Sequence, residues 1–105
     1  MSSEVDLQRA IMERLALIPG LVLWRSNCGA AKKPGRYVKY GIPGQGDLIG
    51  LLPNGRFLSI EVKIPGGPIR PEQVAFGARV NSAGGLWFVA RSVDEAVIRV
   101  MEEMP

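Results

Sequence analysis

Asp47-Leu48-Ile49-Gly50-Leu51-Leu52-Pro53-Asn54-Gly55-Arg56-Phe57-Leu58-Ser59-Ile60-Glu61-Val62-Lys63 is two apolar runs divided by turn residues, and its register governs how the rest of the chain is read. Pro53 and Asn54 suit the central positions of a type I turn, with Gly55 left-handed in the bulge that closes a three-residue hairpin loop. In that register Leu48 faces Ile60 and Asp47 faces Glu61. One face then carries Leu48, Gly50, Leu52, Leu58, Ile60 and Val62, all apolar or small. The other carries Ile49, Leu51 and Phe57 near the turn but Asp47, Glu61 and Lys63 at the open end. A two-residue Asn-Gly loop would shift the register by one and bring Asp47 onto the apolar face, so it is rejected.

Two carboxylates opposed across a ladder, with Cβ atoms ~5 Å apart, repel unless a proton or a cation lies between them. Lys63 relieves part of that repulsion, and a divalent ion bridging Asp47 and Glu61 would relieve the rest, leaving Lys63 to hold or deprotonate a water. A Glu-x-Lys triplet alone is common on exposed sheet edges. Asp47, the approach Gly41-Ile42-Pro43-Gly44-Gln45-Gly46 and the register together point to a site.

Outward from the hairpin, Ser3-Glu4-Val5-Asp6 resembles a capping box and opens a helix that ends at Pro19-Gly20. Leu21 to Trp24 reads as a buried strand, Ser26 to Gly35 as an exposed basic loop, and Tyr37 to Tyr40 as extended chain. Pro71 begins a second helix, which runs to Asn81. Leu86 to Ala90 is a fourth strand, and Ser92-Val93-Asp94-Glu95 caps a last helix. The order α-β-β-β-α-β-α predicts an α/β fold, an antiparallel meander with one parallel strand added, hence a mixed sheet. Glu4 lies nearly in line with Ile11 and is a candidate third acid, or else a first-turn charge favourable to the helix dipole. Gln73, in the first turn of its helix, is a candidate for binding a water or a phosphate oxygen, or else a polar cap.

The chain has 105 residues, no histidine and one cysteine, Cys28. That length fits one domain, taken as residues 1–105. Triads with an imidazole base, zinc fingers and an intrachain disulfide are excluded, so catalysis must rest on carboxylates, lysine and a hard metal such as Mg²⁺. The net charge is +3, yet Arg14 to Gly46 contains Arg14, Arg25, Lys32, Lys33, Arg36 and Lys39 and no acid. Such a stripe suits a phosphate backbone. The polar, acidic N-terminus and the lack of a long apolar run predict an intracellular protein that does not span a membrane.

Glu4, Gly41-Ile42-Pro43-Gly44-Gln45-Gly46-Asp47, Glu61-Val62-Lys63 and Pro71-Glu72-Gln73 together resemble the virus-type replication-repair nuclease (VRR-NUC) domain of the PD-(D/E)xK superfamily. Gly46-Asp47 replaces the superfamily's Pro-Asp. The resemblance implies a restriction-endonuclease-like fold and Mg²⁺- or Mn²⁺-dependent hydrolysis of DNA. Asp47 and Glu61 would be metal ligands and Lys63 the lysine that activates water, with Glu4, Gln73 and the carbonyl of Val62 completing the site. It also implies a cytoplasmic protein of bacterial or phage origin that acts on branched DNA, such as four-way junctions. Paired cuts across a symmetric junction require two sites, and Trp24, Trp87, Phe88 and Met101 exceed one small core's needs, so a homodimer is expected. The alternatives are a noncatalytic nucleic-acid-binding module and a monomeric flap or nicking nuclease. Arg25, Lys32, Lys33, Arg36 and Lys39 would supply affinity for DNA; Tyr37 and Tyr40 are read as packing residues, with stacking on an unpaired base at a junction or flap as the alternative.

Overall fold

The computed structural model describes residues 3–26, 29–33, 36–40 and 44–104, with the backbone alone described for 29–33 and 36–40. Cys28 and Gly41-Ile42-Pro43 lie outside the described residues. In chain order the elements are α1 (Glu4–Leu15), β1 (Val22–Arg25), β2 (Gly29–Lys33), β3 (Arg36–Tyr40), β4 (Leu48–Leu51), β5 (Phe57–Val62), α2 (Pro71–Ser82), β6 (Leu86–Ala90) and α3 (Val93–Glu102). The helix starts follow the sequence cues. Ser3 Oγ accepts from the Asp6 N–H at 3.1 Å, and Ser92 Oγ accepts from the Glu95 N–H at 3.1 Å. The Glu95 carboxylate reaches past its own cap residue to accept from the Arg91 N–H at 2.8 Å.

A four-stranded mixed sheet, ordered β1-β4-β5-β6, forms the frame. β1 and β4 are antiparallel, as are β4 and β5, and β6 runs parallel to β5 after the α2 crossover. The β4–β5 register is the expected one, with Leu48 opposite Ile60 and Gly50 opposite Leu58. Its turn closes with Gly55 N–H donating to the Leu52 carbonyl at 2.8 Å, and Gly55 is left-handed at φ 89°.

The predicted basic loop from Ser26 to Gly35 is corrected. Gly29–Lys33 is a strand, paired antiparallel with Arg36–Tyr40 in a separate two-stranded sheet inserted between β1 and β4. Gly-Ala-Ala-Lys-Lys lacks the alternating or β-branched pattern by which strands are recognised, whereas a backbone ladder needs no such pattern to form. Among the described residues there are therefore six strands where four were expected, and the main sheet keeps the four.

Apolar side chains of α1 (Leu7, Ile11, Leu15) and α3 (Ala96, Val100) pack on the sheet face carrying Leu48, Leu58, Ile60, Val62, Leu86, Phe88 and Ala90. Phe88 is thus core, not surplus apolar surface, while Trp24 and Met101 are exposed. α2 covers the opposite face at β5 and β6. Asn81 Oδ1 accepts from the Trp87 N–H at 2.9 Å, so the end of α2 occupies a backbone donor of the outer strand β6. Arg56 ties the β4–β5 turn to α3 through an ion pair with Glu103 at 3.0 Å.

The approach of α2 to the sheet depends on Gly77. A Cβ built there would lie 2.2 Å from the Trp87 ring. Alanine is favoured over glycine in a helix by about 1 kcal/mol, but overpacking a rigid ring costs about 1–3 kcal/mol. Packing wins, because three atoms of the indole would lie within 2.5 Å of the added Cβ. Gly77→Ala should lower the midpoint of thermal unfolding by about 5–10 °C, measured by circular dichroism, where an exposed glycine in a helix would show a rise.

Candidate active site

Asp47 immediately precedes β4 and is held from both neighbouring strands. Its carbonyl accepts from the Ser26 N–H at 2.9 Å, just beyond the end of β1. Its Oδ2 accepts from the Val62 N–H of β5 at 2.8 Å. The carboxylate thereby takes the place of the next backbone acceptor where the β4 ladder stops, which fixes the side chain at the sheet's open end.

Glu61 lies on the sheet face under α2 and is 2% exposed. Its Oε1 accepts from Gln73 Nε2 at 2.8 Å and stands 3.7 Å from Lys63 Nζ. As a carboxylate oxygen its Oε2 is buried with no donor to accept from. Burial pushes the Glu61 carboxyl up from 4.5 to about 8. The negative charge of Asp47 and a hydrogen bond to it that only the protonated form can donate add to the rise, Glu4 adds a smaller push, and Lys63 opposes it. The expected opposition of the two carboxylates is therefore present, together with its electrostatic cost.

Gln73 is the polar cap foreseen as one of its two alternatives, and the other end of its amide holds a carboxylate of the protein. Its Oε1 accepts from the Arg70 N–H at 2.8 Å at the start of α2, and its Nε2 holds Glu61. At 3% exposure it is a buried strut joining helix to carboxylate. Lys63, 8% exposed, follows β5 on the same side, and its N–H donates to the Ala90 carbonyl at 3.1 Å. Downstream, Arg91 Nη1 donates to the Ile64 and Gly67 carbonyls, both at 2.9 Å, which anchors the loop between Lys63 and α2.

Glu4 opens α1 and is half-buried; its charge reaches Glu61, but among the described residues no three acids stand close enough to cage a metal. Two carboxylates suffice for Mg²⁺, which keeps several waters and is completed by substrate oxygens. The residues fit such an ion. Both donors are hard oxygens, one Glu61 oxygen is unpartnered, and a cation would remove the repulsion that raises the Glu61 carboxyl.

Beside Asp47 a cleft of about 130 Å³ is lined by Ser26, Gly44, Gln45, Gly46, Arg70 and Gln73 as well as Asp47 itself. Gln45 Nε2 donates to Ser26 Oγ across it. The glycine-rich approach owes its composition to crowding. Gly44 is left-handed at φ 81°, and a Cβ there would lie 2.0 Å from the Glu72 carbonyl oxygen in the first turn of α2. A larger apolar groove of about 680 Å³ lies between the β4–β5 turn and the latter part of α2, and no carboxylate lines it.

The structure thus brings Asp47, Glu61, Lys63 and Gln73 together and leaves Glu4 at longer range. Arg25 is exposed on β1, on the sheet face opposite to Trp24. Lys32, Lys33, Arg36 and Lys39 fall on β2 and β3, and their side chains, like those of Tyr37 and Tyr40, lie outside the description. Ser26 was missed, since a lone serine after a strand carries no pattern; only the pairing of β1 with β4 reveals it.

No curated protein matches the chain. A solved structure described as a VRR_NUC domain is similar over 96% of this chain and 97% of its own length, with a TM-score of 0.67 and 22% identity, a likeness of fold. The model of the VRR-NUC domain family matches residues 3–94. With that match over nearly its whole length and the mixed sheet that carries Asp47 and Glu61, the chain belongs to the VRR-NUC family and has a nuclease-type fold.

Proposed function

We propose that this chain is a divalent-metal-dependent endonuclease that hydrolyses phosphodiesters in branched DNA. The observation that carries the reading is the pairing of Asp47 with buried Glu61, whose second carboxylate oxygen has no protein donor to accept from. Two acids are held at the edge of solvent against their own repulsion, and that arrangement serves a cation better than it serves the fold. Asp47, Glu61 and the Val62 carbonyl would hold Mg²⁺ or Mn²⁺, with Glu4 acting from a distance on its surrounding waters. The bound ion supplies charge neutralisation at the phosphate and lowers the pKa of water.

The chain's own groups supply position. Val62 N–H and the β1 continuation fix Asp47, while Gln73 fixes Glu61 at one oxygen and leaves the other free. Lys63, beside Glu61, orients the attacking water through its ammonium, and the water's proton passes to solvent. Attack places charge on the nonbridging phosphate oxygens, which the Lys63 ammonium stabilises and a bound divalent ion would neutralise further. The basic residues Arg25, Lys32, Lys33, Arg36 and Lys39 hold the phosphate backbone on either side of the cut. A homodimer would present two such sites to a four-way junction and cut it in symmetric places. Among the described residues no helix is long and apolar enough to cross a membrane.

Incubating labelled four-way junction, flap and linear DNA with Mg²⁺ or Mn²⁺, with light scattering of the free protein, tests the reading. Paired symmetric cuts and a dimeric mass are expected. Binding without cleavage in either metal would leave a noncatalytic module. In the same assay Lys63→Ala should cut the rate roughly 10²- to 10⁴-fold with DNA binding retained.

The raised Glu61 carboxyl gives a second prediction. Because its folded value, about 8, exceeds its free value of 4.5, the folded state holds the extra proton between them. The contribution to stability is complete below pH 4.5 and is lost as pH rises through about 8. In chelator, the melting temperature should fall over that window in the parent and much less in Glu61→Gln. Mg²⁺ should raise it more at pH 8 than at pH 6, where protons compete, and should not raise it in the variant. Equal pH slopes in the two proteins would remove the carboxylate pair as the cause.

For the basic hairpin, replacing Lys32 and Lys33 together by alanine should make the log-log salt slope of DNA binding shallower by up to roughly 1.8 if each meets one phosphate. Titrations over a range of KCl concentrations measure it, and an unchanged slope would place β2 away from DNA.

A further inference from the structure

Trp24 is 47% exposed on β1, one of the two outer strands of the main sheet, in a protein whose other tryptophan is packed under α2. It pairs with Ile49, two residues from Asp47 on the same face, so it stands diagonally from Asp47 at about 7–8 Å. Past Trp24 the strand runs on to Ser26, whose N–H binds the Asp47 carbonyl at 2.9 Å. α2 packs on β5 and β6, and on the β1 side of the same face Val22 and Leu51 are also exposed, at 49% and 40%. An apolar ledge with a flat indole at its inner end therefore leads up to the proposed site.

We infer that Trp24 is a stacking platform for an unpaired nucleobase next to the scissile phosphate. This rests on the nuclease reading of the Asp47–Glu61–Lys63 site and narrows its substrate to DNA in which a base beside the cut is unstacked. In a paired duplex each base face is already covered by its neighbours, so an indole can take only a base freed at a flap, gap or branch point. Charge selects nucleic acid as the occupant over a second copy of this chain. The strand that bears Trp24 leads into the β2–β3 hairpin, whose strands carry Lys32, Lys33, Arg36 and Lys39 and no acid. A second copy would set that cationic stretch against its like, whereas a polyanion complements it. The apolar rim of Val22 and Leu51 shields the stacked base from water, and Asp47, one diagonal step away, lies within the span of a single nucleotide.

The test measures binding of two fluorescent DNA duplexes of the same sequence, one blunt and one with a short single-stranded flap, in Mg²⁺ and on the slow-cutting Lys63→Ala background. Trp24→Ala should weaken binding of the flapped DNA roughly 5- to 150-fold and leave the blunt duplex unchanged. Trp24→Phe should recover most of the loss, since a smaller ring still stacks. Equal affinity of parent and Trp24→Ala for flapped DNA, or an equal loss on both DNAs, would overturn the inference. So would light scattering that shows a dimeric parent and a monomeric Trp24→Ala, which would make the ledge an interface between copies. A Trp24-dependent preference for flapped DNA in a parent protein that cuts nothing in Mg²⁺ or Mn²⁺ would support the stacking role while removing the nuclease reading.

Discussion

Two carboxylates side by side, with one of them buried beneath a helix, are the constraint around which this small fold is organised. Glu61 is nearly inaccessible and its neighbour Asp47 shares its sign, so the pair costs free energy whenever both are charged. The surroundings limit that cost without abolishing it. Lys63 supplies partial compensation, Gln73 satisfies one oxygen, and a backbone N–H satisfies Asp47. One oxygen of Glu61 is left over, and an orphaned buried acceptor of this kind is more expensive than an ordinary exposed one. A domain of this size has little stability to set against such a defect. Its retention at the end of a well-packed hairpin therefore directs attention to the ligand that would cure it.

The rest of the structure can be followed outward from that pair. Glu61 keeps its orientation because Gln73 reaches it from α2, and Gln73 can reach because Gly77, one turn later, lets the helix lie directly on Trp87. At the other side Gly44 lets the loop before Asp47 pass under the first turn of α2, bringing the two acids' supports into contact. The opposite face of the sheet is apolar except for Arg25 on its outer strand and packs against α1 and α3. That face supplies most of the cohesion, and the carboxylate pair lies on the other. The half of the charged face that α2 does not cover carries Trp24, and the strand bearing it continues into the backbone that holds Asp47.

The hairpin from Asp47 to Lys63 was legible because three local rules agree there. Pro-Asn-Gly specifies the turn, the turn specifies the register, and only one register makes one face wholly apolar. From the register alone Asp47 and Glu61 become neighbours, and the helix caps at Ser3 and Ser92 are equally local. The strand Gly29–Lys33 was not legible, because small and charged residues show no period and its formation rests on backbone pairing with Arg36–Tyr40. The surplus assigned to Phe88 was also misread: burial depends on which elements meet, and α1 and α3 meet over that strand.

What the sequence determined by itself is what depends on neighbours a few residues apart: helix limits, the hairpin register, the pairing of the acids and the absence of imidazole chemistry. The tertiary structure decided how deep that pair lies and what touches it. Burial raises Glu61, α2 spends both ends of the Gln73 amide on protein groups, Glu4 stays at electrostatic range, and Ser26 joins the site through a strand pairing across a long insertion. Each of these depends on distances between segments far apart in the chain, and desolvation and hydrogen bonding act only once packing has set those distances.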